Sequence, residues 1–182
     1  MPKKPKSQGF TLIELLVVLA IIALISSVVF TAVNDVRVKA RDAKRKADVA
    51  QMQKALELYY DDNGFYPLST GATSPGGGWS NSSDASWTTL ENLLKPYMIR
   101  LPKDPKENNN SGEWAYTGFH YSFYSGPPGA AYGCQQQWYM IVYQLEKASG
   151  VDPSVTSCDN TLFQYGGSGA NTAIKTVGLK AR

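Results

Sequence analysis

Gly9-Phe10-Thr11-Leu12-Ile13-Glu14 opens an apolar run that decides the fold. It continues as Leu15-Leu16-Val17-Val18-Leu19-Ala20-Ile21-Ile22-Ala23-Leu24-Ile25, passes two serines and ends in Val28-Val29-Phe30. That is about the ~20 apolar residues a helix needs to cross a ~30 Å hydrocarbon core. Glu14 lies inside it. A carboxylate at such depth costs roughly 2.5–3.5 kcal/mol on insertion scales, so it normally has a partner or a task. The other reading is a glutamate that snorkels to the interface from the helix start.

The flanks separate these readings. Lys3, Lys4 and Lys6 stand in a short polar leader that ends at Gly9, and aromatic Phe10 follows. In Gly9, Phe10, Thr11, Leu12, Ile13 and Glu14, with the basic leader before and the apolar helix after, the chain closely resembles the type IV prepilin family. The resemblance implies that a membrane aspartyl peptidase, the prepilin peptidase and methylase, cuts between Gly9 and Phe10 on the cytoplasmic side. It would then methylate the new amine of Phe10. Glu14 would neutralise the N-terminal amine of a neighbouring subunit as filaments grow from an inner-membrane assembly platform. Opposite charges attract strongly in low dielectric, and each is costly there alone.

An ordinary signal peptide has an h-region of about 7–15 residues and a small-x-small exit. This run is longer, and Phe30-Thr31-Ala32 is a poor exit. A plain single-pass anchor fits the length but leaves the register of Gly9, Phe10 and Glu14 unexplained. Orientation pulls the other way: Arg37, Lys39, Arg41, Lys44, Arg45 and Lys46 outnumber the leader lysines, so counting Lys and Arg alone predicts the opposite topology. The motif outweighs that count, since Asp35, Asp42 and Asp48 are interspersed with the bases.

In 182 residues there is room beside the apolar segment for one globular head of about 120 residues. The expected parts are a basic leader at 1–9, a transmembrane half-helix at 10–33, a soluble half-helix at 34–62 and the head at 63–182. Net charge is +3, but removing the leader lysines leaves 15 basic against 15 acidic residues. That balance is not the footprint of a dedicated nucleic-acid binder. Basic residues in 37–46 are expected to be solvated or used within a filament rather than to bind DNA or anionic lipid, because acids alternate with them. Cys134 and Cys158, a pair in an exported head, are expected to form a disulfide.

No proline or glycine interrupts 34–62, and good helix formers dominate it. Val49, Met52, Leu56 and Tyr59 recur three or four apart, with Ala40, Ala43, Ala47 and Ala50 beside them, as a stripe that docks on a sheet. Asp42 and Lys46 are spaced for i,i+4 pairing. Asn63-Gly64 and then Pro67 end the helix. From Phe10 it would run roughly 80 Å. Asp61-Asp62-Asn63-Gly64 lacks the spaced acids of an EF-hand and reads as a cap.

The Gly/Ser/Thr-rich stretch 69–87 is expected at the surface. A short helix is expected over 88–97, with Leu90, Leu93 and Leu94 on one side. Tyr66-Pro67 and Leu101-Pro102-Lys103-Asp104-Pro105 resemble the head of the major pseudopilin of type II secretion. Residues 113–117, 119–124 and 137–145 are rich in aromatic and β-branched side chains and read as strands of an antiparallel meander, with one more around 162–165. The fold class is α+β: a long N-terminal transmembrane and spine helix packed on a small antiparallel sheet, as in pilins.

Departures from the family are informative. Type IVa pilins often carry a proline in the membrane helix, and Ser26-Ser27-Val28-Val29-Phe30-Thr31 has none. Major pseudopilins often bind calcium in a C-terminal loop and lack a disulfide. Here Asp152 and Asp159 are candidate Ca2+ ligands, although the expected cofactor is none. No Gly-x-Ser-x-Gly elbow or phosphate loop is present, and His120 reads as a polar outward or edge residue, so the chain is not expected to be an enzyme. Trp79, Trp87, Trp114 and Trp138 could stack on a sugar, but core packing is the commoner fate of such residues. The functional reading is a structural subunit of a type IV pilus or pilus-like filament. It would be stored in the cytoplasmic membrane, surrounded by lipid, and polymerise with other pilin-like subunits. The alternatives are a pseudopilin of type II secretion and, in a different class, a monomeric membrane-tethered binding module. DNA or a surface ligand as partner has no support in the sequence.

Overall fold

The computed structural model describes residues 9–70, 78–107, 118–126, 134, 136–167, 169 and 172–179, without the side chains of Val28, Thr31, Ala32 and Leu179. The leader lysines, Trp114 and the strand expected over 113–117 lie outside the described residues. The chain divides into two compact units, Met1–Lys39 and Ala40–Arg182.

Helix α1 covers Leu12–Asn63. In the first unit its large apolar side chains as far as Val36 are exposed wherever they are described, from Leu12 at 81% to Val33 at 39%. Among the described residues no helix is long and apolar enough to cross a membrane. Beyond Ser26 and Ser27 the apolar side chains of Val29 and Phe30 are exposed as well. Ser27 Oγ donates back to the Leu24 carbonyl at 2.8 Å, so this hydroxyl is satisfied within the helix.

In the second unit α1 presents the expected stripe, with Val49, Met52, Leu56 and Tyr59 buried. The alanines do not share it. Ala40, Ala43, Ala47 and Ala50 are exposed, and the buried face continues instead through Asp42, Arg45 and Asp48. Charged side chains occupy it because each meets a partner from the head, as described below. The helix stops where the sequence places the stop. Gly64 takes φ +77° and its N–H donates to the Tyr60 carbonyl, while Asn63 Nδ2 donates to the Tyr59 carbonyl.

The 69–87 stretch differs from its expectation. Strand β1, Ser80–Asn81, lies within it, and Trp79, Ser80, Asn81 and Ser82 are all buried. Burial is tolerated because their polar groups are paired: Asn81 Nδ2 donates to Ser122 Oγ, and the Tyr121 N–H donates to Ser82 Oγ. Helix α2, Ala85–Leu94, begins three residues before the expected Thr88, since the Asp84 carboxylate caps it by accepting from the Ser86 N–H at 2.8 Å.

Strand β3 (Tyr139–Gln144) falls inside the strand expected over 137–145, and β2 (Ser122–Ser125) overlaps the one expected over 119–124 and runs one residue past it. β4 (Val155–Thr156) and β5 (Leu162–Phe163) form a separate antiparallel ladder, and β6 (Ile174–Leu179) comes from a tail the sequence reading left without a strand at that position. The main sheet has the order β1-β2-β3-β6, every neighbouring pair antiparallel. It is a meander only in part, since β6 joins the edge of β3 after the β4–β5 ladder. Alternation along β3 gives the sheet two dry faces. Tyr139, Ile141 and Tyr143 pack with the stripe of α1 and with Trp87 and Leu90 of α2. Met140 and Val142 pack with Trp79, Trp138, Val155 and Phe163 on the other face. Cys134 and Cys158 are joined in a disulfide beside that second cluster.

Candidate functional site

The N-terminal segment carries the first group of candidate residues. Glu14 Oε2 accepts from the Thr11 N–H at 2.8 Å and from Thr11 Oγ1 at 2.7 Å, and the Glu14 N–H donates back to Thr11 Oγ1 at 3.3 Å. This is a capping box, Thr-x-x-Glu at the helix start, which satisfies backbone donors that have no partner within the helix. The carboxylate also sits at the positive end of the helix dipole. Sequence reading gave Glu14 a role between subunits and overlooked this local one, although Thr11 three residues ahead was the signal. Phe10 is 78% exposed and adjoins the residue that holds the carboxylate. The box holds Glu14 in the first turn of an apolar helix, with nothing described covering it.

The head holds the second group, an ionic cluster on α1. Arg45 is fully buried. Its Nε and Nη2 donate to the two oxygens of Asp104 at 2.6 and 2.8 Å, a bidentate pair. Its Nη1 donates to Asp42 at 2.7 Å and to Glu146 at 3.0 Å. Asp42 also accepts from the N–H groups of Glu146 and Lys147, in place of the expected pairing with Lys46. Arg41 and Lys106 donate to Glu146 as well, and the Phe119 ring lies 4.7 Å from the Arg45 guanidinium carbon and 4.8 Å from Lys106 Nζ. The hydrogen bond from Arg41, with help from Lys106 and Arg45, holds the Glu146 carboxyl down at about 2. Arg41 and Arg45 therefore face the head and leave the set of solvated or intrafilament bases. Asp104, in the Leu-Pro-x-Asp-Pro segment, is the anchor of α1 rather than a turn residue alone.

His120 is buried rather than outward, its Nδ1 lying 3.7 Å from the Glu107 carboxylate. Trp79, Trp87 and Trp138 are buried in the two clusters, which leaves none of these three a face for stacking on a sugar.

The two candidate calcium ligands are engaged with the protein itself. Asp152 accepts from the N–H groups of Ser154, Gly166 and Thr176 and from Thr176 Oγ1. Asp159 accepts from Ser157 Oγ and from the Thr161 N–H. Among the described residues no three or more His, Cys, Asp or Glu side chains come together as a metal site.

Residues 4–30 match the family described as the prokaryotic N-terminal methylation motif. Type II secretion system core protein G of Vibrio cholerae is 32% identical over 114 residues, which covers 60% of this chain and 72% of that protein. The protein of the same name from Escherichia coli K12 is 32% identical over 117 residues, 59% of this chain and 75% of the relative. No solved structure matches the chain significantly. The chain belongs to the prepilin-type family that includes type II secretion system core protein G.

Proposed function

We propose that the chain is a pseudopilin, a structural subunit of the filament of a type II protein secretion system and not an enzyme. The observation that carries this reading is an apolar helix exposed along residues 12–27 that opens on the Thr11–Glu14 box. Apolar surface of that extent marks a membrane or a protein partner. In this account both occur in turn. The segment 10–33 spans the cytoplasmic membrane, the peptidase cuts between Gly9 and Phe10, and Phe10 is N-methylated. Helices of neighbouring subunits then replace lipid in an extracytoplasmic filament. Glu14 releases Thr11 and pairs with the amine of a neighbouring Phe10, and an unpaired carboxylate penalises every misaligned neighbour.

A type IV pilus subunit would share this N-terminal chemistry, and that broader reading is the one the sequence favoured. The secretion proteins match over 114 residues, well beyond the motif at 4–30, which supports the narrower role. Glu14→Ala in the native host tests it. The variant is expected to reach the membrane fraction at the wild-type level, yet to form no filament and to leave the proteins that the system secretes inside the envelope. Normal secretion by the variant would support a tethered module instead. Lost surface pili with intact secretion would support the type IV pilus.

A further inference from the structure

Lys175, on β6, is a buried lysine to which none of the groups described above is tied; it is 4% exposed. Its Nζ donates to the Gly150 carbonyl at 2.7 Å, the Val151 carbonyl at 3.0 Å and Thr172 Oγ1 at 3.0 Å. An ammonium has three protons to give, and here three protein oxygens take them. Thr172 is itself tied to the same turn, since its N–H donates to the Gly150 carbonyl and the Ser149 N–H donates to its own carbonyl. Burial draws the ammonium below its ordinary pKa, and the Asp152 carboxylate opposes that shift by its charge.

Asp152 is 3% exposed and closes the other side of this node. Its four bonds, at 3.2, 2.8, 2.5 and 2.9 Å, use the lone-pair positions that a carboxylate offers. The backbone around it leaves little slack. A Cβ on Gly166 would lie 2.4 Å from the Ile174 carbonyl and 3.1 Å from Asp152 Cβ. Calcium takes six to eight oxygens at ~2.3–2.6 Å. To bind at Asp152 it would have to strip that carboxylate of its amide donors. The residues present do not fit the calcium ion that the sequence left open. They fit an ammonium.

We propose that the Gly150 and Val151 carbonyls and the Thr172 hydroxyl form a cation site occupied by the ammonium of Lys175. Segments 149–154 and 172–176 thus close on the chain's own cation and need no metal ion. Asp152 balances the charge, and its amide bonds hold the turn that presents the two carbonyls. The site would take a compact hydrogen-bonding cation, and its geometry comes preassembled with β6.

Thermal unfolding and limited proteolysis of the full chain in detergent, with excess EGTA or with millimolar calcium chloride, test this. The wild type is expected to melt at the same temperature in both and to give the same fragments. Lys175→Met keeps the aliphatic stem and removes the ammonium. It is expected to melt roughly 5–10 °C lower and to open protease sites within 149–154. Thr172→Val, which removes one of the three oxygens, is expected to give a smaller drop of the same sign. A wild-type chain that loses stability in EGTA and regains it with calcium would overturn the proposal without any variant. So would Lys175→Met melting like the wild type.

Discussion

Glu146 is held below its ordinary pKa by its basic neighbours, which links the stability of the head to pH. Its carboxyl falls from the ordinary 4.5 to about 2 in the folded chain, chiefly through the hydrogen bond from Arg41. A group whose folded pKa is depressed adds stability above its unfolded pKa and loses it as pH falls through the folded one. The urea midpoint of the full chain in detergent should therefore decline as pH falls from about 4.5 toward 2, and Glu146→Gln should flatten much of that decline. Asp48 acts in the opposite sense, since burial raises its carboxyl despite the bond from the Tyr121 hydroxyl. An unchanged slope in Glu146→Gln would mean that the ion pairs are not the source. At this scale the sequence was half legible. Thr11 and Glu14 have the Thr-x-x-Glu spacing of a capping box, a signal present in the sequence but overlooked beside the role between subunits. Lys175 and Asp152 could not be read as a node, because their partners are mostly backbone atoms set by the tertiary path.

At the scale of elements, Arg45 and Asp104 fasten α1 to the segment after α2. The pair is fully desolvated, and breaking such a pair by removing one partner costs about 3–5 kcal/mol, largely from the charge left unpaired. Arg45→Met is expected to lower stability by that amount in urea unfolding. Combining it with Asp104→Leu should recover much of the loss, since no lone charge then remains at the pair. Equal losses in the single and double variants would show that the pair contributes packing alone. Apolar periodicity made the α1 stripe, β2 and β3 readable, because burial of those residues follows from their own chemistry. β1 is Ser80–Asn81, polar residues that become buried only once β2 supplies hydrogen bonds. β6 alternates Ile174, Thr176 and Gly178 with Lys175, Val177 and Leu179, and its edge of β3 is reached only after the β4–β5 ladder. Arg45 looked like a surface base because its partner lies 59 residues away.

At the scale of the whole molecule, the two units divide the work. The Ala40–Arg182 unit builds its own two-sided core, with Arg45 paired to Asp42, Asp104 and Glu146 and the Cys134–Cys158 disulfide beside the second cluster. Among the described residues of the Met1–Lys39 unit none is buried, and its helix has an exposed apolar surface of the kind that marks a membrane or protein partner. A chain built this way is not finished when it folds, because its N-terminal helix still needs surroundings to cover it. The family motif over 4–30 falls on that unfinished part, and the secretion relatives extend the likeness far beyond it. The most direct test of the account is the intact mass and N-terminal sequence of the protein isolated from its own cells. A chain that begins at N-methylated Phe10 is expected. A chain that begins near Asn34, or one that keeps its leader from Met1 in cells with an active prepilin peptidase, would contradict it.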